Sequence, residues 1–258
     1  MQVYIGRLLA RNLHHYIYNI IMTTLIFLDY TIQQMWIAKT IAFFAPDECL
    51  GCGKQPKIIC DICLSNYVQI FPISCTLCNK VTKNKSLCNE CSRKTGLKNV
   101  WSATTYNENA KRAIYELKFA PKRAVGLVLA DCLDIVVPHW SSFIVVHVPT
   151  APKRVRQRGF DHANVMARRF AKQRNLGYYS ALIRTSNQRQ VGASRKERKL
   201  QLKDTFIVID PRTIKNKHVL VVDDVMTTGA TLSEVAKTLK KAGAKSVSAA
   251  VFAVAPLN

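Results

Sequence analysis

The chain has 258 residues, 48% of them hydrophobic, and a formal net charge of +22 at pH 7. The hydrophobic content supplies an ample core for one α/β domain with a small appendage, which excludes a wholly disordered chain. The charge favours polyanionic partners, namely nucleic acid, an acidic lipid surface or a polyphosphorylated ligand, unless it only reflects a generally basic proteome.

Residues 1–45 are the hardest segment to interpret. The apolar run 16–28 is shorter than the roughly 20 residues that a membrane helix needs, and no convincing signal-peptide cleavage site follows it. We expect a disordered extension or a later translation start, at Met22 or Met35. The alternatives are a weakly amphipathic helix over 31–44, which contacts a membrane surface or docks on a partner, and a true membrane span.

Four Cys-x-x-Cys pairs lie within residues 49–91: Cys49 and Cys52, Cys60 and Cys63, Cys75 and Cys78, and Cys88 and Cys91. Two such pairs make a tetrahedral zinc site, so we expect two structural zinc ions. The simplest partition joins the first two pairs and the last two pairs as tandem zinc ribbons. An interleaved partition and disulfides are the alternatives. We expect residues 46–97 to form a zinc module whose folding energy comes from the metal, and 98–258 to form a second domain.

The second domain alternates apolar strands with amphipathic helices. Strands are predicted at 101–106 and 143–148, and helices at 110–119 and 125–133. Such alternation predicts an α/β fold with a parallel, doubly wound sheet. Cys132 lies on the apolar face of the second helix, so we expect a buried core thiol there.

Two basic segments follow the second strand. Residues 149–163 carry Lys153, Arg154, Arg156 and Arg158, which we expect to form a loop that holds an anion between like charges. A helix is predicted from 162 to 174. The polar, basic stretch 184–199 is then expected to be a mobile loop or short helix over a ligand. Ordinary solvated surface is the alternative for both segments.

The stretch 218–232 combines a strand, two acids, a loop and a helix. We predict a buried strand at 218–222 and a helix over 233–241, separated by Asp223, Asp224 and small hydroxyl residues. Gly229 lets the backbone approach a ligand, and the free N–H groups of a helix N-terminus attract an anion. This arrangement predicts a phosphate site.

The two acids need a separate explanation, because a carboxylate repels phosphate. They could hold ribose hydroxyls, or they could hold Mg²⁺ that bridges to phosphate. A buried strand followed by an Asp-Asp turn is the functionless alternative. The stretch resembles the PRPP loop of type I phosphoribosyltransferases. That resemblance implies that Asp223 and Asp224 contact the ribose and serve catalysis. It also implies PRPP binding by the loop residues Val225, Thr227, Thr228, Gly229, Ala230 and Thr231.

A wider set of motifs, spread over residues 46–254, resembles the ComF family, which includes the GntX-like proteins. The motifs are the Cys-x-x-Cys pairs, Leu117-Lys118-Phe119, Val148-Pro149, Arg156-x-Arg158-Gly159-Phe160, Gln190-x-Gly192-x-Ser194-Arg195-x-x-Arg198, Phe206 and the acid loop. The resemblance implies a type I phosphoribosyltransferase-like parallel sheet flanked by helices, with a small N-terminal double zinc-ribbon module. It also implies handling of single-stranded DNA in natural transformation.

The same resemblance implies that Mg²⁺ accompanies PRPP. It further implies that pyrophosphate meets Arg156, Arg158 and Gly159, with Arg195 and Arg198 on a flexible loop. The chain departs from the family pattern at Asp161, where the family usually has Asn, and at Gln201, where it often has Asn. These departures concern fine contacts and leave the fold unaffected.

Three functions are consistent with the sequence. The first is a phosphoribosyltransferase with an unknown acceptor. The second is a module that binds single-stranded DNA and keeps a pocket for PRPP or another ribose phosphate, with Phe160, Tyr178 and Tyr179 as candidate stacking platforms. The third is an adaptor that binds a competence helicase or uptake channel through its zinc module. We favour a protein of DNA uptake in the cytoplasm, with peripheral contact to the inner face of the membrane as a further expectation.

Overall fold

The computed structural model describes residues 49, 52–54, 58–69, 74–82, 87–120, 122–139, 142–185 and 205–255. Contacts divide the chain into two units. One comprises 49–53 with 58–258, and the other comprises 1–48 with 54–57. Except for Lys54, the smaller unit lies outside the described residues, and so do the expectations for residues 1–45. No helix in the described ranges has the length and hydropathy needed to cross a membrane.

Seven helices and seven strands make up the described part. In chain order they are α1 (Asp61–Tyr67), α2 (Asn89–Thr95), β1 (Val100–Thr105), α3 (Glu108–Phe119), α4 (Arg123–Val136), β2 (Phe143–His147), α5 (Pro152–Arg158), α6 (His162–Gln173), β3 (Gly177–Tyr178), β4 (Leu182–Arg184), β5 (Phe206–Val208), β6 (His218–Met226), α7 (Ala230–Lys241) and β7 (Ser246–Val254), with a 3-10 turn at Pro211–Thr213.

Five strands form a parallel sheet in the order β1-β7-β6-β2-β3. The predicted α/β class with a parallel sheet is confirmed. The central strand β6 alternates its side chains between two cores. Leu220 and Val222 pack with residues of α4 and α6, and Val219 and Val221 pack with residues of α7. A strand buried on both faces reads as a continuous β-branched run, which is why the sequence located it.

The described residues of the cysteine-rich segment, 49–91, pack onto both faces of this sheet. Cys49 and Cys63 belong to the core on the α4 and α6 side, whereas Cys75 belongs to the core on the α7 side. Backbone and side-chain bonds also join the segment to β1: Gln69 N–H donates to Ala103 O at 2.8 Å, and Thr76 Oγ1 donates to Val100 O at 2.8 Å. The segment therefore shares the apolar core of the sheet. The domain boundary at residue 97 stays a prediction.

The prediction of a loop around Arg156 was wrong, because residues 152–158 form the helix α5. Pro152 occupies its first turn, where a missing N–H costs nothing, and Gly159 ends it with φ +80°. The helix distributes the four cations around its circumference, so most point into solvent and their repulsion is screened. The local signals that begin and end a helix therefore outweighed the repulsion between the cations.

A short antiparallel pair, β4 with β5, extends outside the main sheet. Beyond its end, Thr185 N–H donates to Thr205 O at 2.8 Å, so the two ends of the stretch 186–204 are held together. The stretch itself lies outside the described residues, and with it the predicted roles of Arg195 and Arg198.

Candidate functional site

The two acids lie inside β6, which continues to Met226, so the predicted strand end at residue 222 was four residues short. Asp223 is partly buried and Asp224 is 4% exposed. Asp223 Oδ1 also accepts a bond of 2.9 Å from the backbone N–H of Asp224. A buried carboxylate is costly unless cations or donors surround it, so the neighbours of Asp224 decide what this site can do.

Two cationic or donor side chains approach Asp224 from different helices. Lys118, in the last turn of α3, forms an ion pair with Asp224 Oδ2. His162, the first residue of α6, places Nε2 3.5 Å from Asp224 Oδ1. Both helices therefore direct positive or proton-bearing groups at the same buried carboxylate.

The hydrogen bonds around His162 define its tautomer. Arg158 NH1 lies 3.0 Å from His162 Nδ1. Because a guanidinium only donates, Nδ1 must accept, and the ring proton then sits on Nε2 facing Asp224. The chain Arg158–His162–Asp224 thus connects α5 to the acid pair through one imidazole.

The two acids have opposite proton affinities. Burial and the neighbouring charge of Asp224 raise the pKa of Asp223 well above its usual value. Burial alone would also raise the pKa of Asp224, but the hydrogen bond from His162 and the charge of Lys118 hold it below its usual value. Asp224 therefore carries the negative charge of the pair, and Asp223 is the acid that most readily holds a proton.

The loop after the acids leads directly into α7. Thr227 and Thr228 are exposed, and Gly229 takes the left-handed conformation with φ +72°. The positive φ favours glycine, and a Cβ at residue 229 would also meet Met226 Cε, the end of a side chain that would have to shift. Gly229, the N-cap of α7, has no side chain, and Ala230 N–H donates to Thr228 Oγ1 at 3.4 Å. No side chain among the described residues caps the next N–H groups of α7, which are available to an anion. Ala230 and Thr231 open this helix, and Val225 packs against the core of the sheet.

The predicted pyrophosphate residues separate into two groups. Arg158 is partly buried and turned toward His162, whereas Arg156 and Gly159 are exposed at the end of α5. Thr150, between β2 and α5, lies beside them with Oγ1 3.3 Å from His162 Nδ1. The structure therefore brings Arg158 to the acid pair and leaves Arg156 in solvent.

The eight paired cysteines form two clusters, in the partition that joins neighbouring pairs. One contains Cys49, Cys52, Cys60 and Cys63, the other Cys75, Cys78, Cys88 and Cys91, each with all Sγ atoms within 4.8 Å of one another. Across the first cluster Cys52 Sγ lies 3.9 Å from Cys60 Sγ, and across the second Cys78 Sγ lies 3.6 Å from Cys88 Sγ.

These Sγ–Sγ separations match the ligands of a zinc ion and exceed the bond length of a disulfide. Four thiolates about 2.3 Å from a tetrahedral Zn²⁺ are about 3.8 Å apart, whereas a disulfide requires about 2.05 Å. Cys60 and Cys88 are the N-cap residues of α1 and α2, and Cys88 Sγ accepts from Cys91 N–H at 3.4 Å. The donor sets therefore fit two structural zinc ions with four sulfur ligands each.

Comparison with known proteins identifies the chain's relatives. The model of the phosphoribosyl transferase domain matches residues 155–256, which contain α6, the acid pair and α7. Competence protein ComFC of Streptococcus pneumoniae is 26% identical over 78% of this chain and 96% of its own length. The DNA utilization protein YhgH of Salmonella typhimurium is 27% identical over 73% of this chain and 87% of its own.

These matches support a ComF-family protein with a phosphoribosyltransferase fold. Among solved structures, a glutamine PRPP amidotransferase from B. subtilis, complexed with ADP and GMP, is similar at 17% identity with a TM-score of 0.40. The similarity covers 54% of this chain and 30% of that one. The matches to the competence and DNA utilization proteins, and to the phosphoribosyl transferase domain, confirm the predicted ComF resemblance.

One departure from the ComF pattern has a structural explanation. Asp161, where the family has Asn, is the N-cap of α6: its Oδ1 accepts from the N–H groups of Ala163 and Asn164. Its Oδ2 accepts from Thr150 N–H at 2.8 Å and lies 3.8 Å from His147 Nε2. Asp161 therefore anchors the segment after β2 to the start of α6. Gln201 lies outside the described residues.

Two residues of this ComF-family site had no role assigned from the sequence. Lys118 belongs to the Leu117-Lys118-Phe119 motif, for which no function was predicted. His162 was predicted only to begin a helix. A weak signal existed for Lys118, since it follows the buried stripe of α3 formed by Ala110, Ala113, Ile114 and Leu117. Only the tertiary fold shows that this lysine reaches an acid on β6.

Proposed function

We propose that this ComF-family protein binds PRPP or a related ribose phosphate at the acid pair and the 227–231 loop, and that it acts in DNA uptake. The observation that carries the proposal is the ionised, buried Asp224, held by Lys118 and His162 at the entrance to a glycine turn and a helix N-terminus. Acids for ribose hydroxyls and an anion site for phosphate then lie in consecutive residues.

Each part of the site has a distinct task in this proposal. Asp224 accepts hydrogen bonds from ribose hydroxyls, and Asp223, whose pKa is raised, can hold a proton and donate a hydrogen bond to the same hydroxyls. Thr227 and Thr228 offer hydroxyls, and the first N–H groups of α7 bind the 5-phosphate. Arg158 approaches from α5 and stabilises the negative charge of a pyrophosphate group.

Mg²⁺ fits this site as an ion shared with the ligand. Carboxylate oxygens of Asp223 and Asp224 are the ligands that Mg²⁺ prefers, but Lys118 already neutralises Asp224 and His162 Nε2 carries a proton. The acids alone therefore make a weak magnesium site. Phosphate oxygens and water would complete it, and the ion would neutralise ligand phosphate charge.

The place of this activity in DNA uptake is supported by relatives that are named for competence and DNA utilization. The net charge of +22 supplies the attraction to a polyanion. We propose that single-stranded DNA is bound without sequence preference, and that the basic residues of 153–158 and 195–199 contact its phosphates.

Calorimetry with zinc-loaded protein tests both parts in one sample. PRPP with Mg²⁺ should bind at micromolar to millimolar concentration, and ribose 5-phosphate more weakly because it lacks the pyrophosphate. Absence of heat for both ligands at millimolar concentration would reject the ribose-phosphate site. Single-stranded DNA is titrated next, and competition by PRPP is expected because Arg158 serves both ligands.

Salt dependence separates phosphate contacts from other modes of DNA binding. Affinity should fall linearly with log salt, by a slope of about −0.7 per phosphate contact on a single strand. Replacing Arg195, Lys196 and Arg198 with alanine should flatten the slope by about two to three contacts. An unchanged affinity in this triple variant at low salt would move the DNA site elsewhere.

A further inference from the structure

A cavity of about 850 Å³ lies between α3 and α5, next to the ion pair of Lys118 with Asp224. Five cationic side chains line it: Lys111, Arg112, Lys118, Arg154 and Arg158. The one carboxylate among the lining residues is that of Glu108, which is paired with Lys111 at 2.6 Å. The cavity is therefore strongly positive.

Aromatic rings are exposed in the same cavity. Tyr115 is 60% exposed and Phe119 66% exposed, although large aromatic side chains normally bury most of their surface. They are one helical turn apart on α3, with ring centroids 5.1 Å apart and planes inclined by 35°. The buried face of α3 is formed by other residues, so these two rings are not needed for the core.

Cationic side chains lie close to the aromatic rings of this cavity. Arg158 Cζ lies 5.8 Å from the centre of the Phe119 ring, and Lys111 Nζ lies 6.0 Å from the centre of the Tyr106 ring. Arg112 and Arg154 are exposed at the rim. Binding of a single strand requires aromatic rings on which bases stack and cations that bind phosphates. This cavity has both.

We propose that Tyr115 and Phe119 form a stacking platform for the bases of single-stranded nucleic acid, with Arg112 and Arg154 on its phosphates. This inference rests on the proposed binding of single-stranded DNA and locates its bases. A duplex does not fit, because its bases are already stacked on one another. The candidates chosen from the sequence lie outside this cavity: Phe160 packs against the core, Tyr178 is partly buried and stacks on His147, and Tyr179 is 41% exposed.

The test compares a thymidine oligomer of about 15 nucleotides with an abasic oligomer of equal length, by fluorescence anisotropy. The double variant Tyr115→Ala with Phe119→Ala should lose about 10- to 100-fold in affinity for the thymidine oligomer. Its affinity for the abasic oligomer should stay unchanged, and so should the salt slope, because no phosphate contact is removed. Ile135→Ala is the matched control, since Ile135 is equally exposed, at 60%, on α4 outside the cavity.

Two further variants separate stacking from charge. Phe119→Trp keeps an aromatic ring and should retain binding, with quenching of its indole fluorescence when a base stacks. The double variant Arg112→Ala with Arg154→Ala should weaken the binding of both oligomers equally. It should also flatten the salt slope by about 1.4, because each of the two lost phosphate contacts contributes about 0.7.

Three results would overturn the platform. One is unchanged thymidine-oligomer binding in the aromatic variant, and another is equal loss for the thymidine and abasic oligomers, which would indicate an altered surface and no stacking. The third is equal loss of affinity for a duplex. Failure of the wild-type protein to bind any single strand would instead reject the DNA part of the proposed function, and the platform with it.

Discussion

His162 Nε2 lies 3.5 Å from Asp224 Oδ1, and the opposite ring nitrogen of the same histidine accepts from Arg158. The imidazole therefore joins the first residue of α6 to the acid on β6 and to the last turn of α5. Together with Lys118, it explains how a carboxylate that is almost fully buried keeps its negative charge.

Removing the carboxylate of Asp224 should weaken ligand binding. We expect Asp224→Ala to reduce the affinity for PRPP with Mg²⁺ by about 1–3 kcal/mol, the usual loss for a charge-assisted hydrogen bond. Isothermal titration calorimetry measures this change. Asp210→Ala is the control, because Asp210 pairs only with Arg212 on the surface. Equal losses in the two variants would contradict a role for Asp224 in the ligand site.

Removing the lysine from the ion pair of Lys118 with Asp224 should destabilise the fold. Lys118→Met leaves Asp224 buried without its cation, which we expect to cost about 3 kcal/mol of unfolding free energy. This is the low end for a buried pair, because 24% of the Lys118 side chain is exposed. Urea denaturation measures the loss. Arg212→Met, which breaks an exposed pair, should leave the unfolding midpoint nearly unchanged.

Asp223 should make stability depend on pH in a defined direction. Burial and the charge of Asp224 raise the pKa of Asp223 in the folded protein well above its usual value, so the folded state holds the proton more tightly than the unfolded state. The stability that this tighter proton binding contributes is therefore fully present below about pH 4. It is lost as the pH rises through the pKa of Asp223 in the folded protein. Asp223→Asn should raise the melting temperature at pH 7 by about 2–4 °C for each kcal/mol recovered.

The gain from Asp223→Asn should shrink as the pH falls toward 4, because both states of the wild-type carboxyl are then protonated. Thermal denaturation between pH 4 and pH 8 tests this trend. The same variant should bind the ribose phosphate more weakly, since the acid is retained for function at a cost in stability. A gain that is constant over this pH range would show that protonation of Asp223 is not its cause.

Gly229 should tolerate alanine less well than Gly159. Both have positive φ, so each substitution costs about 1–2 kcal/mol through backbone strain. At residue 229 the new Cβ also meets Met226 Cε, whereas nothing lies within 4 Å of a Cβ at residue 159. Urea denaturation should therefore show the larger loss for Gly229→Ala. Equal losses would mean that Met226 moves aside freely.

The two cysteine clusters should lose zinc independently. Elemental analysis of protein purified without added metal should give two zinc ions per chain. Cys63→Ser should remove one and Cys91→Ser the other, because each serine leaves three sulfur ligands in one cluster. Cys132→Ser should retain both ions: Cys132 is buried on α4, and burial raises its pKa to about 12. Loss of both ions from a single substitution would contradict the independent partition.

Much of the site was determined by local sequence. The β-branched run before Asp223 is buried on both faces of the sheet, so hydrophobicity alone located β6. Gly229 is favoured by its positive φ, which is a local property of the backbone. The spacing within each Cys-x-x-Cys pair places two thiols on one turn, and this too needs no distant partner.

What the tertiary structure decided is which distant groups meet. The choice between neighbouring and interleaved cysteine pairs depended on how the segment packs on the two faces of the sheet, which spacing does not encode. Lys118 and His162 come from separate helices, and only the parallel sheet brings both to Asp224. The helix α5 formed where charge repulsion predicted a loop, because Pro152 and Gly159 set its ends and solvent screens exposed charges. Long-range proximity of this kind follows from burying a shared core, and no stretch of the sequence contains it alone.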